Sequence, residues 1–476
     1  MLVKHTNDSV GKRADIADFS KVGGGIVGEA FDLVASFTNA SGYSFEKNPD
    51  YALVNSNTTQ NANTPHRGDN ETNFSLAKSL TMKGSHTLMM GFVENNAPEA
   101  YETMPSMALA VGDEESRDLR ERFRTISPYY PGLELLDRKG IERVQEILVR
   151  GRAKGLDMAA QYRTDGAAVD YHLATKAMTR VSRHQSLSIE YYLNTKVEEV
   201  VRGKDFFEIH TDTGQSFKSR FLNISAGPYS LLFAKAFGCY KEAMVGHTAY
   251  TANDYGIIPM AGNFYEADCL INGKVYTMNP PKFPFASIHV DKSIHRPWFM
   301  RFGPTTNFVP FMERRHRETF GDFRHSGLLT PRGLRKGVEF LFNDLEMVGY
   351  LYRNFVYQMP IIGKRSFLKN AVQKIIPTMR LDDLRFLDDD GGLRPQLFNI
   401  LTGELEMGTG KFLGPNVVCN VTPSPGASDS IRCALIDLLD HMIQVLPWVR
   451  FDEETFKKCL GLKVPVRSLM YPSLIN

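Results

Sequence analysis

Gly23-Gly24-Gly25-Ile26-Val27-Gly28 is the stretch whose reading decides the fold. Read as Gly-x-Gly-x-x-Gly, it sets Gly23, Gly25 and Gly28 at the spacing of a dinucleotide-binding turn between a strand and a helix. The first glycine allows the tight bend and the second lets the backbone approach a pyrophosphate. The third lets the helix pack against the strand. A helix-like run follows over residues 26–37, and its N-terminus offers free N–H groups and a positive dipole end to phosphates. Glu46, about twenty residues on, stands where a ribose hydroxyl needs an acceptor. Glycine clusters also occur in ordinary loops, so the turn alone leaves both readings open. The segment before it should be a buried central strand, which reads as a nearly continuous apolar run. Asp18, Ser20 and Lys21 interrupt that run, so a poor first strand is expected.

Length and composition set the frame. The 476 residues suffice for two domains, or for one large domain with an insertion. At 42% hydrophobic and 23% charged residues the chain is an ordinary globular protein. A net charge of +2 gives no reason to expect nucleic acid as a partner. Cys239, Cys269, Cys419, Cys433 and Cys459 have no metal-ligand spacing and form an odd count. No metal is therefore expected, and a reducing compartment fits. The absence of any run of 18 apolar residues excludes a transmembrane helix on length. The first twenty residues mix Lys4, Lys12 and Arg13 with Asp8, Asp15 and Asp18, which is not the pattern of a secretory signal.

Beyond Glu46, a polar loop at 55–69 reads as a solvated connection or as a wrap around a cofactor. Helical segments are expected at 71–92, 114–125 and 140–149, and another follows Asp170, a plausible N-cap. Short β runs at 187–193, 197–201, 206–211 and 217–224 end in Ser225-Ala226-Gly227-Pro228, a second close backbone approach before a helix. Aromatic strands at 257–265, 274–278 and 285–290 suggest a second, antiparallel sheet walling a pocket. Residues 311–380 are largely helical and begin with a basic run, Arg314, Arg315, His316, Arg317, Arg324, Arg332, Arg335 and Lys336. A solvated face is the first reading of such a run, ahead of a membrane or partner surface. A strand at 416–421 leads into Thr422-Pro423-Ser424-Pro425-Gly426-Ala427-Ser428 and a long apolar helix, whose N-terminus can face an electron-rich ligand atom.

This order of features, with His66-Arg67-Gly68-Asp69, Ile288-His289, Arg301-Phe302-Gly303-Pro304 and Gly392-Leu393-Arg394-Pro395, resembles the FAD-dependent D-amino-acid-oxidase-like superfamily. Within it the chain is most similar to the malate:quinone oxidoreductases, from about residue 16 to 463. Thr422–Ala427 and Pro284-Phe285-Ala286-Ser287-Ile288-His289 are the more specific parts. The resemblance implies an α/β fold: a discontinuous Rossmann-like FAD-binding domain (16–75, 160–235 and 385–463) and a substrate domain with a mixed or antiparallel sheet (76–159 and 236–384). Residues 1–15 and 464–476 would be tails. It further implies oxidation of (S)-malate to oxaloacetate, with electrons passed through FAD to a membrane quinone. Peripheral attachment is implied, on the cytoplasmic face of the cell membrane or, in a eukaryote, on the mitochondrial inner membrane. The alternatives are a 2-hydroxyglutarate-type dehydrogenase or amino-acid oxidase on the same scaffold, and a flavin-less binding or structural relative.

Hydride transfer from a secondary alcohol needs a base for the hydroxyl proton, cations for the carboxylates and a flavin over the carbon. His289 is the candidate base, with His66 its rival. Arg394 is the candidate carboxylate clamp, and Arg301 would take the second carboxylate. The resemblance places Asn61 and Asn63, with Ala226 and Gly227, along the cofactor. Val197 would meet the adenine through its backbone, and Gly426 and Ala427 would present N–H groups to the flavin.

Overall fold

The structure, a computed structural model, describes residues 2–5, 16–242, 250–279, 288–343, 345–406, 410–422 and 426–472. Residues 284–287 and 423–425 of the two specific motifs lie outside these, as do parts of the expected strand at 285–290 and of both tails.

Five parallel strands carry the glycine turn, in the order Val417–Val421, Ser216–Ile224, Ala17–Val22, Gly42–Phe45 and Ile189–Tyr192. Parallel neighbours need a crossover connection, and the first is the helix Ile26–Ala35. The sheet extends to ten strands among the described residues, partly through the antiparallel meander Val197–Arg202, Phe207–Thr211 and Ser216–Ile224.

The polar first strand is a proper central strand after all. Lys21 is 0% exposed, and its Nζ lies 2.6 Å from Glu29 Oε1 and 3.0 Å from Asp32 Oδ2, two residues of the following helix. Thr179 and Ser44 donate to the same carboxylates. Asp18 accepts from the backbone N–H of Ser41 and from Trp448 Nε1. The charges that spoil the apolar pattern fasten strand to helix.

The second layer is an eight-stranded sheet in the order Arg385–Leu387, Phe264–Asp268, Phe299–Gly303, His289–Lys292, Lys274–Thr277, Ser106–Val111, Met158–Arg163 and Glu134–Asp137. Its pairings are antiparallel except for Lys274–Thr277 beside Ser106–Val111, so the sheet is mixed. The run expected as one strand at 257–265 is two, Tyr255–Ala261 and Phe264–Asp268, in different sheets. Gly262 sits at the break, where a Cβ would meet Pro304 Cβ at 2.6 Å and Thr305 O at 2.7 Å. Leu393–Asn399, not anticipated as a strand, pairs with Tyr255–Ala261 along seven positions. Pro395 argues against a strand, and here it stands opposite Pro259.

Packing crosses the expected domain boundaries. The helix Leu76–Asn96 contributes Leu88, Met89 and Phe92 to the core that holds Phe31 and Leu435 of the dinucleotide side. Met158–Arg163 and Arg385–Leu387 belong to the second sheet. The expected N-cap does form, with Asp170 accepting from the N–H groups of His172 and Leu173 at the start of Tyr171–Gln185. Among the described residues no helix is long and apolar enough to cross a membrane.

Candidate active site

A cavity of about 880 Å³ runs from the glycine turn to the second sheet. Its lining includes Gly23, Gly25, Glu46 and Val197, with Asn61, Asn63, Ala226 and Gly227, and also His66, His289, Arg394, Gly426 and Ala427. All but two of the residues singled out in the sequence line this one space. The exceptions are Gly28 and Arg301.

The turn explains Gly28. A Cβ there would lie 1.9 Å from Gly23 O, so Gly28 lets the helix close on the turn from behind the cavity. Gly23 takes φ +107, a left-handed conformation, and a Cβ on it would sit 2.5 Å from Ser225 O. Glu46, one residue past its strand, accepts from the N–H of Gly24 with one oxygen and from the N–H of Asn48 with the other. Its carboxylate is thereby fixed against the turn while still lining the cavity. The Asn-rich loop is the wrap rather than the solvated connection: Ser56 Oγ accepts from Ile26 N at 3.0 Å, and Asn55, Gln60 and Thr64 line the cavity.

Three neighbouring strands bring the site's charges together. Side chains two apart on a strand share a face, and the register sets Asp291 between Lys274 on one side and Arg301 on the other, with His289 opposite Tyr276 and Gly303. His289 Nε2 is 3.3 Å from Asp291 Oδ1, and Asp291 Oδ2 is 3.2 Å from Arg301 Nη2. Arg301 is 1% exposed. It also reaches Asp390 Oδ2 at 3.4 Å and Asn63 Oδ1 at 2.9 Å. Lys274 Nζ donates to Ala62 O, Asn63 O and Thr64 Oγ1 at 3.0–3.1 Å. Arg301 and Lys274 thus grip the loop that lines the cavity.

The electrostatics follow from this arrangement. Burial drives the His289 imidazole below the ordinary histidine value; Asp291 opposes this, while Lys274 and Arg301 reinforce it. Burial alone would raise Asp291, yet Arg301 and Lys274 hold it well below the carboxylate range. Burial pushes Lys274 down to about 8. His289 is therefore a neutral imidazole at pH 7 beside an ionised carboxylate.

Arg394 differs from Arg301. It is lowered by burial, lines the cavity, and has no carboxylate within ion-pairing distance among the described residues. His66 forms a second imidazole–carboxylate pair, Nδ1 lying 2.5 Å from Glu71 Oε1. Glu71, which burial would raise, is held low by His66 and by backbone N–H groups.

Asp291, Lys274 and Glu71 were missed in the sequence. His289-Val290-Asp291 carries its own signal, an imidazole and a carboxylate at strand period. Lys274 and Glu71 have no local signal. Arg314, from the basic run read as a solvated face, is a loop anchor: it donates to Gly262 O and Asp390 O, and burial pushes it down to about 10.

A glycine turn in a parallel sheet, opening on one cavity with His289 of the mixed sheet and Arg394 of a separate three-stranded sheet, is the arrangement of an oxidoreductase of the dinucleotide-binding class. The family model "Malate:quinone oxidoreductase (Mqo)" matches residues 15–458. A malate:quinone oxidoreductase of Helicobacter pylori (strain J99) is 30% identical over 456 residues, covering 92% of this chain and 97% of the relative. A probable malate:quinone oxidoreductase of Campylobacter jejuni is 28% identical over 431 residues, covering 87% and 92%. The chain belongs to the malate:quinone oxidoreductase family. In fold it is similar to the L-α-glycerophosphate oxidase of Mycoplasma pneumoniae, with a TM-score of 0.59 at 14% identity over 91% of this chain and 95% of that one. The glycine oxidase of Geobacillus kaustophilus gives 0.59 at 15% identity over 90% and 95%.

Proposed function

We propose that this chain is an FAD-dependent dehydrogenase that oxidises (S)-malate to oxaloacetate and passes the electrons to a membrane quinone. The observation that carries the reading is the single cavity joining the glycine turn to a neutral, carboxylate-backed His289 and an unneutralised Arg394. Its residues fit FAD. Gly23, Gly25 and the start of Ile26–Ala35 suit a pyrophosphate, and Glu46 a ribose. Val197 suits an adenine, and Gly426 and Ala427 the electron-rich edge of a flavin. Bound there, FAD supplies the acceptor for the hydride that leaves the alcohol carbon.

The protein's own residues do the rest. Arg394 holds one carboxylate of the dicarboxylic acid, since a guanidinium fork binds both oxygens. His289 takes the hydroxyl proton. Nε2 faces Asp291 at 3.3 Å without a hydrogen bond between them, so Nδ1 is assigned the proton and the Asp291 carboxylate stabilises the resulting imidazolium through its charge. Arg301 acts through others: it fixes Asp291 and Asn63 and leaves the second carboxylate to other groups that line the cavity. Peripheral attachment to the membrane fits a quinone acceptor.

Dye-linked turnover with malate, 2-hydroxyglutarate and glycine tests the reading. Malate should be the best of the three by kcat/KM. Turnover with either of the others and none with malate assigns the chain to the alternative on this scaffold.

A further inference from the structure

The helices Pro331–Asn343 and Leu345–Tyr357, with the turn that follows, wear their apolar side chains outward. Eleven of the twenty-four exposed large hydrophobic residues among the described ones fall between Leu334 and Ile362. Phe342 is 77% and Leu345 80% exposed, and Ile361 and Ile362 are more than half exposed. Leu345–Tyr357 is apolar on both faces. Met347, Tyr350, Asn354 and Tyr357 point inward, while Val348, Tyr352 and Phe355 form an outward stripe at spacings of four and three. An apolar area of this extent on one element marks a contact surface.

We infer that this outward face, residues 331–362, is the surface by which the protein lies on a lipid bilayer. The choice of a bilayer rests on charge. Arg332, Arg353 and Arg365 are exposed around the stripe, Arg335 and Lys336 share Glu339, and the further acids of the segment are Asp344 and Glu346. An apolar stripe bordered by arginines suits the interface of an anionic leaflet, where side chains sink into the acyl boundary and cations meet the headgroups. The inner face of the same helix reaches the site. Tyr350 OH is 2.8 Å from Thr306 Oγ1, and Asn354 Oδ1 accepts from Thr306 N at 2.7 Å. Two residues before Thr306, Pro304 lines the cavity. A lipid-borne quinone arriving at this face thus meets the protein beside the cavity. This last step rests on the proposed quinone reaction; the docking face itself does not.

The test uses the full-length flavoprotein with phosphatidylcholine vesicles, with and without phosphatidylglycerol. Wild type should sediment with the anionic vesicles. Phe342→Asp combined with Leu345→Asp should weaken partitioning at least about tenfold, from the transfer cost of two large apolar side chains. Malate turnover with a soluble dye should stay within about twofold, because neither residue touches the cavity, while turnover with a vesicle-embedded quinone should fall with the binding. Arg332→Glu with Arg335→Glu should remove the preference for anionic vesicles. Unchanged vesicle binding in the double aspartate variant overturns the inference. So does a wild type that is a dimer in solution and that Phe342→Asp turns into a monomer, since the occupant would then be a second copy. Failure of malate turnover in wild type, with vesicle binding behaving as described, refutes the proposed reaction and leaves the docking face standing.

Discussion

At His289 two influences oppose each other. A carboxylate 3.3 Å away would raise an imidazole, but the charge of Asp291 is already balanced by Arg301 and Lys274, and burial decides the outcome. As the proposed base His289 acts when neutral, so kcat/KM for malate should be flat above about pH 6.5, the ordinary histidine value, and fall as pH drops through the lowered pKa. Asp291→Asn removes a negative charge that raises that pKa, so the acid limb should move to lower pH as the plateau falls. A pH–rate profile of the two enzymes reads both effects, and a limb that shifts upward contradicts the assignment. Arg394→Met should raise the KM for malate roughly ten- to a hundredfold through loss of a charged hydrogen-bonded contact. Arg301→Met should act on stability instead. Leaving Asp291 and Asp390 buried without their cation costs about 3–5 kcal/mol, which a urea midpoint would record; a stable variant with only a raised KM would return Arg301 to substrate binding. The difference between these arginines was not readable in the sequence, because Asp390 lies 89 residues from Arg301. Asp291 was readable in principle, two residues past His289 on a strand.

Among the elements, the glycine turn was the most legible, since Gly23 and Gly28 are each required by a close approach of backbone to backbone and Gly25 lines the cavity. Gly28→Ala, with a Cβ 1.9 Å from Gly23 O, should cost the protein its bound flavin even where it folds; full flavin content in this variant would contradict the packing role. The strand before the turn was misread for a physical reason. Lys21 looks like a surface residue until Glu29 and Asp32 are seen to meet it from the next helix. Two carboxylates share one ammonium there without water, so burial raises both acids and the lysine stays charged. Lys21→Met should therefore destabilise by about 3–5 kcal/mol, whereas Lys21→Met with Glu29→Gln and Asp32→Asn should recover much of it; chemical denaturation of the two variants decides. Leu393–Asn399 escaped notice because Pro395 masks it, although Arg394 is carried on that strand. The apolar outward face at 331–362 was hidden by the basic residues interspersed with it.

For the whole molecule, the cavity is lined by residues of three sheets that share no strand, so a ligand filling it adds a tie between them. Removing the flavin should lower Tm by roughly 3 °C and restoring it should recover the loss, as expected for a ligand held at about a hundred times its Kd. An unchanged Tm, with no flavin absorption in the purified protein, would favour the flavin-less relative. The two-domain plan was implied by the family resemblance and not by the residues themselves, and the crossing of the helix Leu76–Asn96 to the dinucleotide side was not legible, because its apolar residues say that it is buried but not against what. The most direct measurement is anaerobic rapid mixing with malate, following the flavin absorption. In wild type the oxidised flavin bands should bleach in a single turnover. In His289→Gln the bleaching should slow by roughly 10²–10⁴-fold, the usual worth of a positioned base, with little change in the malate concentration needed. Bleaching at the wild-type rate in His289→Gln, together with its loss in His66→Gln, would place the base at the other imidazole.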